Sequence, residues 1–260
     1  MGKFRHALGH AAFGVALLAC AIDAVNAGSF EVTPLRVSLS ATQRVAALSL
    51  RNVNSDPVVV QVDVVAWSQA KGEDVFAPTR EVLATPPIFT VPPGGTQLIR
   101  VGLRRAPDAL HELSYRIFLT EIPPPVKADA TGLQETLRFS IPVFVPRATS
   151  AADRGGKDDE RAVPVSLTWR VTKTASNYLA VVATNQGNSH VQVIDFTLAV
   201  AGNTQPLATK NVPEYVLPGQ QSRPWSIATD ANVASGTPLH VTSHTDSGDI
   251  AGDVVVDEPQ

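Results

Sequence analysis

An alternation of apolar and polar residues marks the run Leu133-Gln134-Glu135-Thr136-Leu137-Arg138-Phe139-Ser140-Ile141-Pro142-Val143-Phe144-Val145-Pro146-Arg147. Its apolar side chains occupy odd-numbered positions, which places them on one face of an extended strand. They are Leu133, Leu137, Phe139, Ile141, Val143 and Val145. Phe144 interrupts the alternation, which predicts burial of both faces at the far end of the strand. The run fits two interpretations, a core strand of a β-sandwich or a strand that another protein needs.

Short apolar segments separated by turn residues lie on both sides of this run. We predict strands over 30–39, 45–53, 58–67, 82–87, 96–103 and 115–122 before it, and over 163–172, 178–184, 191–200, 215–217, 225–229 and 239–243 after it. Clusters of Asn, Asp, Gly and Pro separate them, and Pro123-Pro124-Pro125 ends the strand before the run. Many short strands without helical periodicity predict an all-β protein of immunoglobulin-like sandwiches.

The first residues have the layout of a secretory signal peptide. Lys3, Arg5 and His6 precede an apolar run over 11–22, and Val25-Asn26-Ala27 offers small residues for cleavage. Leu17-Leu18-Ala19-Cys20 resembles a lipoprotein box and is the competing interpretation. No later segment is long and apolar enough to cross a bilayer, so we expect export without membrane insertion.

Composition then divides the chain. Residues 148–162 are almost wholly polar and small, which predicts a flexible linker or loop. We therefore expect a signal peptide over 1–27, an amino-terminal immunoglobulin-like domain over 28–147, the linker over 148–162 and a second β-sandwich over 163–260.

The residue inventory argues against several functions. The formal net charge is −3 without basic blocks, which disfavours nucleic acid as a partner. Cys20 is the only cysteine, so neither a disulfide scaffold nor a thiol nucleophile is expected in an exported domain. His240 and His244 would lie about 13 Å apart on a strand, too far to share a metal. No nucleophile elbow, phosphate loop or zinc-protease motif occurs, so we expect no enzyme activity, metal or cofactor.

Arg36 is the one charged residue that stands out before any family is considered. It lies in Leu35-Arg36-Val37-Ser38-Leu39, near the start of the first strand, where a domain edge or cleft is plausible. It is either a solvated strand arginine or a planar fork that clamps a carboxylate in bidentate fashion.

Several motifs in order resemble the periplasmic chaperones of the chaperone–usher pilus pathway. They are Arg36, Ala84-Thr85-Pro86-Pro87, Val91-Pro92-Pro93-Gly94, Ile99-Arg100-Val101, the segment from Tyr115 through Glu121-Ile122-Pro123-Pro124, the run Leu137 to Arg147, Ala183-Thr184-Asn185 and Thr245-Asp246-Ser247-Gly248. The resemblance implies two immunoglobulin-like domains in a boomerang arrangement with a cleft between them. It implies a periplasmic protein that lends its last first-domain strand to pilus subunits and delivers them to an outer-membrane usher. It leaves open whether the free chaperone self-associates to cover that strand.

The resemblance also implies roles for individual residues. Leu133, Leu137, Phe139 and Ile141 would enter the groove of the subunit, and Arg36 would anchor the terminal carboxylate of the subunit. The family's second anchor is a lysine, and Pro142 stands at that position, so either Arg100 or Arg138 replaces it or the anchoring differs. This departure resembles the divergent, archaic-type branch of the family. Glu121, Arg147 and Asp246 resemble the charged trio that sets the angle between the domains.

A second hypothesis of a different class stays open from the sequence. A secreted structural or adhesive β-sandwich, such as a pilus component, would share the export signal and the strand pattern. That class predicts an alternating amino-terminal extension or an exposed aromatic platform, whereas Trp67, Trp169 and Trp225 are dispersed along the chain.

Overall fold

The structure, a computed structural model, describes residues 30–123, 136–148, 166–175, 177–229 and 232–258. The predicted signal peptide, Leu133 and nearly all of the predicted linker fall outside these ranges. Within them the protein is all-β, and its strands form two sandwich domains with separate cores. The predicted fold class is therefore confirmed.

The first domain contains ten strands. They are β1 (Phe30–Thr33), β2 (Val37–Ser38), β3 (Val45–Asn52), β4 (Val58–Ala70), β5 (Glu73–Pro78), β6 (Val82–Thr85), β7 (Ile88–Val91), β8 (Thr96–Leu103), β9 (Leu113–Ile122) and β10 (Arg138–Val145). One sheet has the order β1-β3-β8-β6, and the other has the order β2-β10-β9-β4-β5 with β7 on β4. The prediction of one strand over 30–39 is wrong, because the chain changes sheets between β1 and β2.

The second domain contains seven strands. They are β11 (Leu167–Ala175), β12 (Tyr178–Asn185), β13 (Val191–Val200), β14 (Pro206–Val216), β15 (Ser222–Ala228), β16 (Pro238–Thr245) and β17 (Gly248–Asp257). Their order is β14-β13-β16-β17-β11-β12-β15. The end of β17 pairs in parallel with β11, through Val256 opposite Val171, and this joins the two layers.

Alternation along the strands builds the core of the first domain. Tyr115, Ile117 and Leu119 point inward from β9, and Ile141, Val143 and Val145 do so from β10. The opposite faces of these two strands point away from that core. Burying six such side chains contributes on the order of 10 kcal/mol before the entropy of ordering the chain is subtracted.

The β4–β5 hairpin carries the first domain against the second. Gln69, buried near its tip, donates to the Tyr215 carbonyl at 2.9 Å and accepts from the Leu217 amide at 3.0 Å. Arg223 of β15 donates to the Gly72 carbonyl at 2.8 Å and to Asp74 Oδ1 at 2.6 Å. These bonds fix the hairpin, and with it the end of β4, onto the second domain.

Gly72 at the hairpin tip is required both by its backbone and by its neighbour. Its φ is +83°, and a Cβ there would lie 2.5 Å from Cδ of Pro224. Gly202 has a similar φ of +80°, but a Cβ there would meet open space. The pair therefore separates backbone strain from loss of the domain contact.

We expect Gly72→Ala to lower the free energy of unfolding by about 1–3 kcal/mol more than Gly202→Ala, because only the first forces β15 away from the hairpin. Thermal and urea unfolding followed by circular dichroism measure both variants. Equal losses in the two variants would contradict a tight contact between the hairpin and the second domain.

Candidate functional site

The far end of β10 is buried on both faces, as the interruption by Phe144 predicts. Phe144 points away from the first-domain core and packs in a third apolar cluster with Trp67, Leu217 and Tyr215. Its ring stacks on His190 of the second domain, with centroids 3.5 Å apart and planes inclined by 7°. This cluster spans the two domains and forms the base of a cleft between them.

A chain of charged groups crosses the domains beside this cluster. Arg36 Nη1 lies 2.7 Å from Asp246 Oδ2, and Asp246 Oδ1 accepts from the Gln192 amide at 2.9 Å. His190 lies between two carboxylates, with Nδ1 2.6 Å from Glu112 Oε1 and Nε2 3.7 Å from Asp246 Oδ2. Glu112 Oε1 also accepts from the His190 amide at 3.0 Å. The cleft arginine is thereby tied to the domain contact.

The three residues predicted to set the angle between the domains lie apart. Asp246 contacts Arg36 of the first domain and the Gln192 amide of the second, and its role in setting the angle stays a prediction. Glu121 lies near the far end of β9, nine residues from Glu112 and about 30 Å away in a strand. Glu121 instead accepts the Leu137 amide at 3.4 Å, at the other end of β9. Glu112 takes the interdomain position. Arg147 follows β10, and its interdomain role stays a prediction.

A second arginine, which the sequence reading did not single out, enters the cleft from β9. Arg116 lies directly opposite Pro142 in the β9–β10 register, on the same outward face. Its guanidinium carbon lies 3.7 Å from the Trp67 ring centroid and 5.6 Å from that of Tyr215. A positive charge is therefore present beside Pro142, but the neighbouring strand supplies it.

The two cations predicted to replace the lysine lie elsewhere. Arg100 is exposed on β8, opposite Ala47 and Thr85 in the other sheet, so the structure contradicts its assignment to the cleft. Arg138 shares the outward face of β10 but lies four residues, about 13 Å, from Pro142. Its guanidinium covers the Phe118 ring at 3.8 Å. Arg138 therefore lies further along the cleft than Pro142.

The charges and donors at the base of the cleft favour binding of a hydrogen-bond acceptor. Burial lowers the pKa of Arg116, although not enough to discharge a guanidinium at neutral pH. Burial raises the pKa of Tyr215, while the charge of Arg36 opposes that rise. Among the described residues, Arg116 Nε and Trp67 Nε1 are buried donors without a hydrogen-bond partner. Unpaired buried donors beside two guanidinium groups suit an anion.

The first half of β10 has one unpaired edge within the described residues. Glu121 N donates to Leu137 O at 2.9 Å, so odd-numbered residues of β10 direct their backbone groups to β9. The backbone groups of Arg138, Ser140 and Pro142 therefore face the opposite edge. β2 reaches that edge only at Val143 and Phe144, where Leu39 N donates to Phe144 O. Pro142 is tolerated because its missing N–H lies on the side that β9 does not use.

The predicted subunit-binding side chains differ in accessibility. Ile141 is only 2% exposed and belongs to the first-domain core, so the prediction that it enters a groove on another protein is wrong for this conformation. Leu137 and Phe139 are half-buried at the margin of that core, with Phe139 5.0 Å from the Phe30 ring. Their binding role stays a prediction, and Leu133 lies outside the described residues.

The two histidines predicted to lie too far apart for a shared metal each have a carboxylate partner of their own. The described residues contain no cluster of three or more His, Cys, Asp or Glu side chains suited to a metal. His240 pairs with Asp253 and His244 with Asp195, each at 2.7 Å on the second domain. The described residues also contain no helix of the length and apolar character needed to span a membrane.

The first domain is similar in sequence to known proteins. Residues 29–149 match the family described as pili and flagellar-assembly chaperone, PapD N-terminal domain. The chaperone protein FimB/FhaD of Bordetella pertussis is 29% identical over 156 residues, which cover 55% of this chain and 61% of that protein.

Over these residues the chain is similar to pilus-assembly chaperones.

Solved structures support the same fold at lower identity. The CsuC–CsuE chaperone–tip adhesion subunit complex, from archaic Csu pili of Acinetobacter baumannii, gives a TM-score of 0.63 at 18% identity, covering 90% of this chain and 100% of that chain. The SafA pilin–SafB chaperone complex of Salmonella enterica gives 0.54 at 19% identity, covering 88% and 96%. The YadV chaperone gives 0.55 at 19%, covering 88% and 100%.

We expect Glu112→Gln to lower the free energy of unfolding by about 1–3 kcal/mol, because a buried carboxylate that accepts two bonds from His190 loses its charge. Glu31→Gln is the control, since Glu31 is exposed and lies 3.8 Å from Arg51 in a surface pair worth about 0–1 kcal/mol. Chemical unfolding measures both. A loss no larger than that of Glu31→Gln would show that the Glu112–His190 pair does not hold the domains.

Proposed function

We propose that this protein is a periplasmic chaperone that binds pilus subunits by donating β10 as a strand and delivers them to an outer-membrane usher. The observation that carries the proposal is the unpaired edge of β10, which leads into a cleft holding Arg36 and Arg116. An edge of this kind is a template for another strand, and the cations select how that strand ends.

The direction of the guest strand follows from β2 and the cleft. β2 lies on the same edge of β10 and runs parallel to it, starting one residue after Arg36. A guest strand placed before β2 on that edge reaches the arginines with its carboxyl end only if it also runs parallel. An antiparallel guest would place its ammonium group beside Arg36 and Arg116, which repel it. We therefore infer that the guest is parallel and ends in the cleft.

Apolar side chains supply the remaining affinity in this proposal. Leu137 and Phe139, half-buried at the start of β10, leave part of their surface for a guest, and Leu133 stays a predicted contact outside the described residues. Each side chain that a guest covers fully contributes about 1.5–3 kcal/mol. Exchange of one strand for another requires no nucleotide.

Several related points belong to the same proposal. The cation beside Pro142 comes from β9, and the proline at the expected lysine position is the departure that supports the proposed placement in the archaic-type branch. Pilus subunits and the usher are the proposed partners, and free chaperone would cover its edge by self-association. The family assignment favours this function over that of a structural or adhesive β-sandwich, and over an enzyme.

We expect Arg36→Ala and Arg116→Met each to reduce recovery of the chaperone–subunit complex by tenfold or more, since each removes a charge-assisted bond worth about 1.5–3 kcal/mol. The measurement is co-purification from the periplasm of a bacterium that co-expresses a candidate pilus subunit from the same organism. Arg100→Ala, on the other sheet, is the matched control and should bind normally. Normal recovery with both cleft variants would remove the anion site from the proposal.

Ser140→Pro tests strand donation separately from charge. The Ser140 N–H faces the unpaired edge, so its removal spares the β9–β10 ladder and costs a guest strand one backbone hydrogen bond and close approach. We expect near-normal thermal unfolding and at least tenfold less complex. Ile141→Pro is the contrasting variant, because Ile141 bonds to β9 and should unfold the domain. A folded Ser140→Pro protein that binds normally would contradict edge pairing.

A further inference from the structure

Pro142 is the last residue of β10 on the unpaired edge before β2 occupies it. Its backbone faces that edge, together with the backbones of Arg138 and Ser140. The edge therefore offers N–H donors at Arg138 and Ser140 and none at Pro142. The next places along the edge are taken by Val37 and Ser38.

This pattern restricts a parallel guest strand. In parallel pairing, the Ser140 N–H donates to one guest carbonyl, and the Ser140 carbonyl accepts the N–H of the guest residue two positions later. The carbonyl of that later residue then faces the Pro142 nitrogen, which carries no hydrogen. An internal peptide carbonyl would stay unpaired there, and leaving a buried acceptor unpaired is costly.

A terminal carboxylate at the same place has other donors. Arg116 lies opposite Pro142 on β9, and Arg36 precedes β2. The Arg116 guanidinium lies 5.6 Å from the Tyr215 ring centroid, and Arg36 forms a side-chain hydrogen bond with Tyr215. Among the described residues, Arg116 Nε and Trp67 Nε1 are buried donors that lack hydrogen-bond partners. Side-chain donors thus replace the backbone donor that proline removes, and they favour a full negative charge over a neutral carbonyl.

We propose that Pro142 fixes the register of the guest strand by selecting a free carboxyl terminus. The last guest residue donates its N–H to the Ser140 carbonyl and places its carboxylate beside Pro142, so the penultimate residue lies opposite Ser140. This inference rests on the proposed chaperone function and adds the exact point at which the guest ends. Pro142 acts as a specificity-determining residue.

Cysteine cross-linking in the co-expressed complex reads this register. Cys20, within the predicted signal peptide, is the only cysteine of the chain, so a Ser140→Cys variant introduces a single thiol into the described domains. The guest is the same candidate pilus subunit, with a cysteine at its penultimate residue or two residues earlier. We expect a disulfide with the penultimate position and at least tenfold less with the earlier one.

Two outcomes separate this inference from the proposed function. A complex that forms but cross-links preferentially at the earlier position overturns the register and leaves the chaperone function standing. Failure of the unmodified proteins to form any complex overturns the proposed function, and the inference with it.

Adding one glycine to the carboxyl terminus of the guest tests the role of proline itself. The extension makes the former last residue internal, so its carbonyl faces Pro142 without a donor, and we expect at least tenfold less complex. Pro142→Ala restores an N–H at that point and should recover several-fold more of the extended guest, whereas Pro146→Ala, beyond β10, should recover none. Equal binding of extended and unextended guests by the unaltered chaperone would overturn selection of the terminus.

Discussion

Alternate residues of β10 direct their backbone hydrogen-bonding groups to opposite edges of the strand, and the rest of the site depends on this alternation. An antiparallel neighbour can use the backbone groups of every second residue only, and β9 uses those of the odd-numbered residues. The same residues direct Ile141, Val143 and Val145 into the core of their own domain. What remains for a partner is the even-numbered backbone and the outward face. A strand can thus be an integral part of one sandwich and still offer a complete edge to another.

The second domain gives that edge a direction. Without it, the outward face of β10 would end in an exposed Phe144, and the edge would have no distinguishing feature at either end. Stacking of Phe144 on His190 closes one end of the face, and the Arg36–Asp246 pair lies beside it. The β4–β5 hairpin holds the domains near the opposite edge of the sheet from β2, through Gln69 and Arg223. The position of the cleft therefore depends on contacts that bind no guest.

Local patterns predict the strands well and the site only in part. The strand over 96–103 has the predicted bounds, because turn residues precede it and apolar residues alternate along it. Pattern alone did not show that residues 30–39 serve two sheets, since an alternating segment fits either one. The family resemblance assigned Ile141 to a partner, whereas Ile141 packs in the core of its own domain. β5 and β7 were missed because most of their residues are exposed. β17 was missed although alternate residues from Ile250 to Val256 are partly or fully buried, because Gly252 and the exposed Val255 break the apolar alternation in the sequence.

Charged residues were harder to place, since their roles depend on which end of a strand meets the other domain. Glu112 and Glu121 both flank the apolar centre of β9, and periodicity treats them alike; the second domain packs at Glu112. Arg116 falls within a segment that was noted for its resemblance, yet only the β9–β10 register places it opposite Pro142. The proline at the expected lysine position is the one signal in the sequence that could have pointed to Arg116, its neighbour on the paired strand.

The ion pair between Arg36 and Asp246 limits how strongly an entering anion can bind. Because an internal carboxylate already holds one Nη of Arg36, an incoming carboxylate shares or exchanges that partner and does not neutralise a free charge. The net gain is then the difference between two similar ion pairs, which is small compared with the attraction of an isolated cation. Exchange of this kind keeps occupancy reversible. A cleft that held its guest's terminus with an unshared charge would resist handing it on.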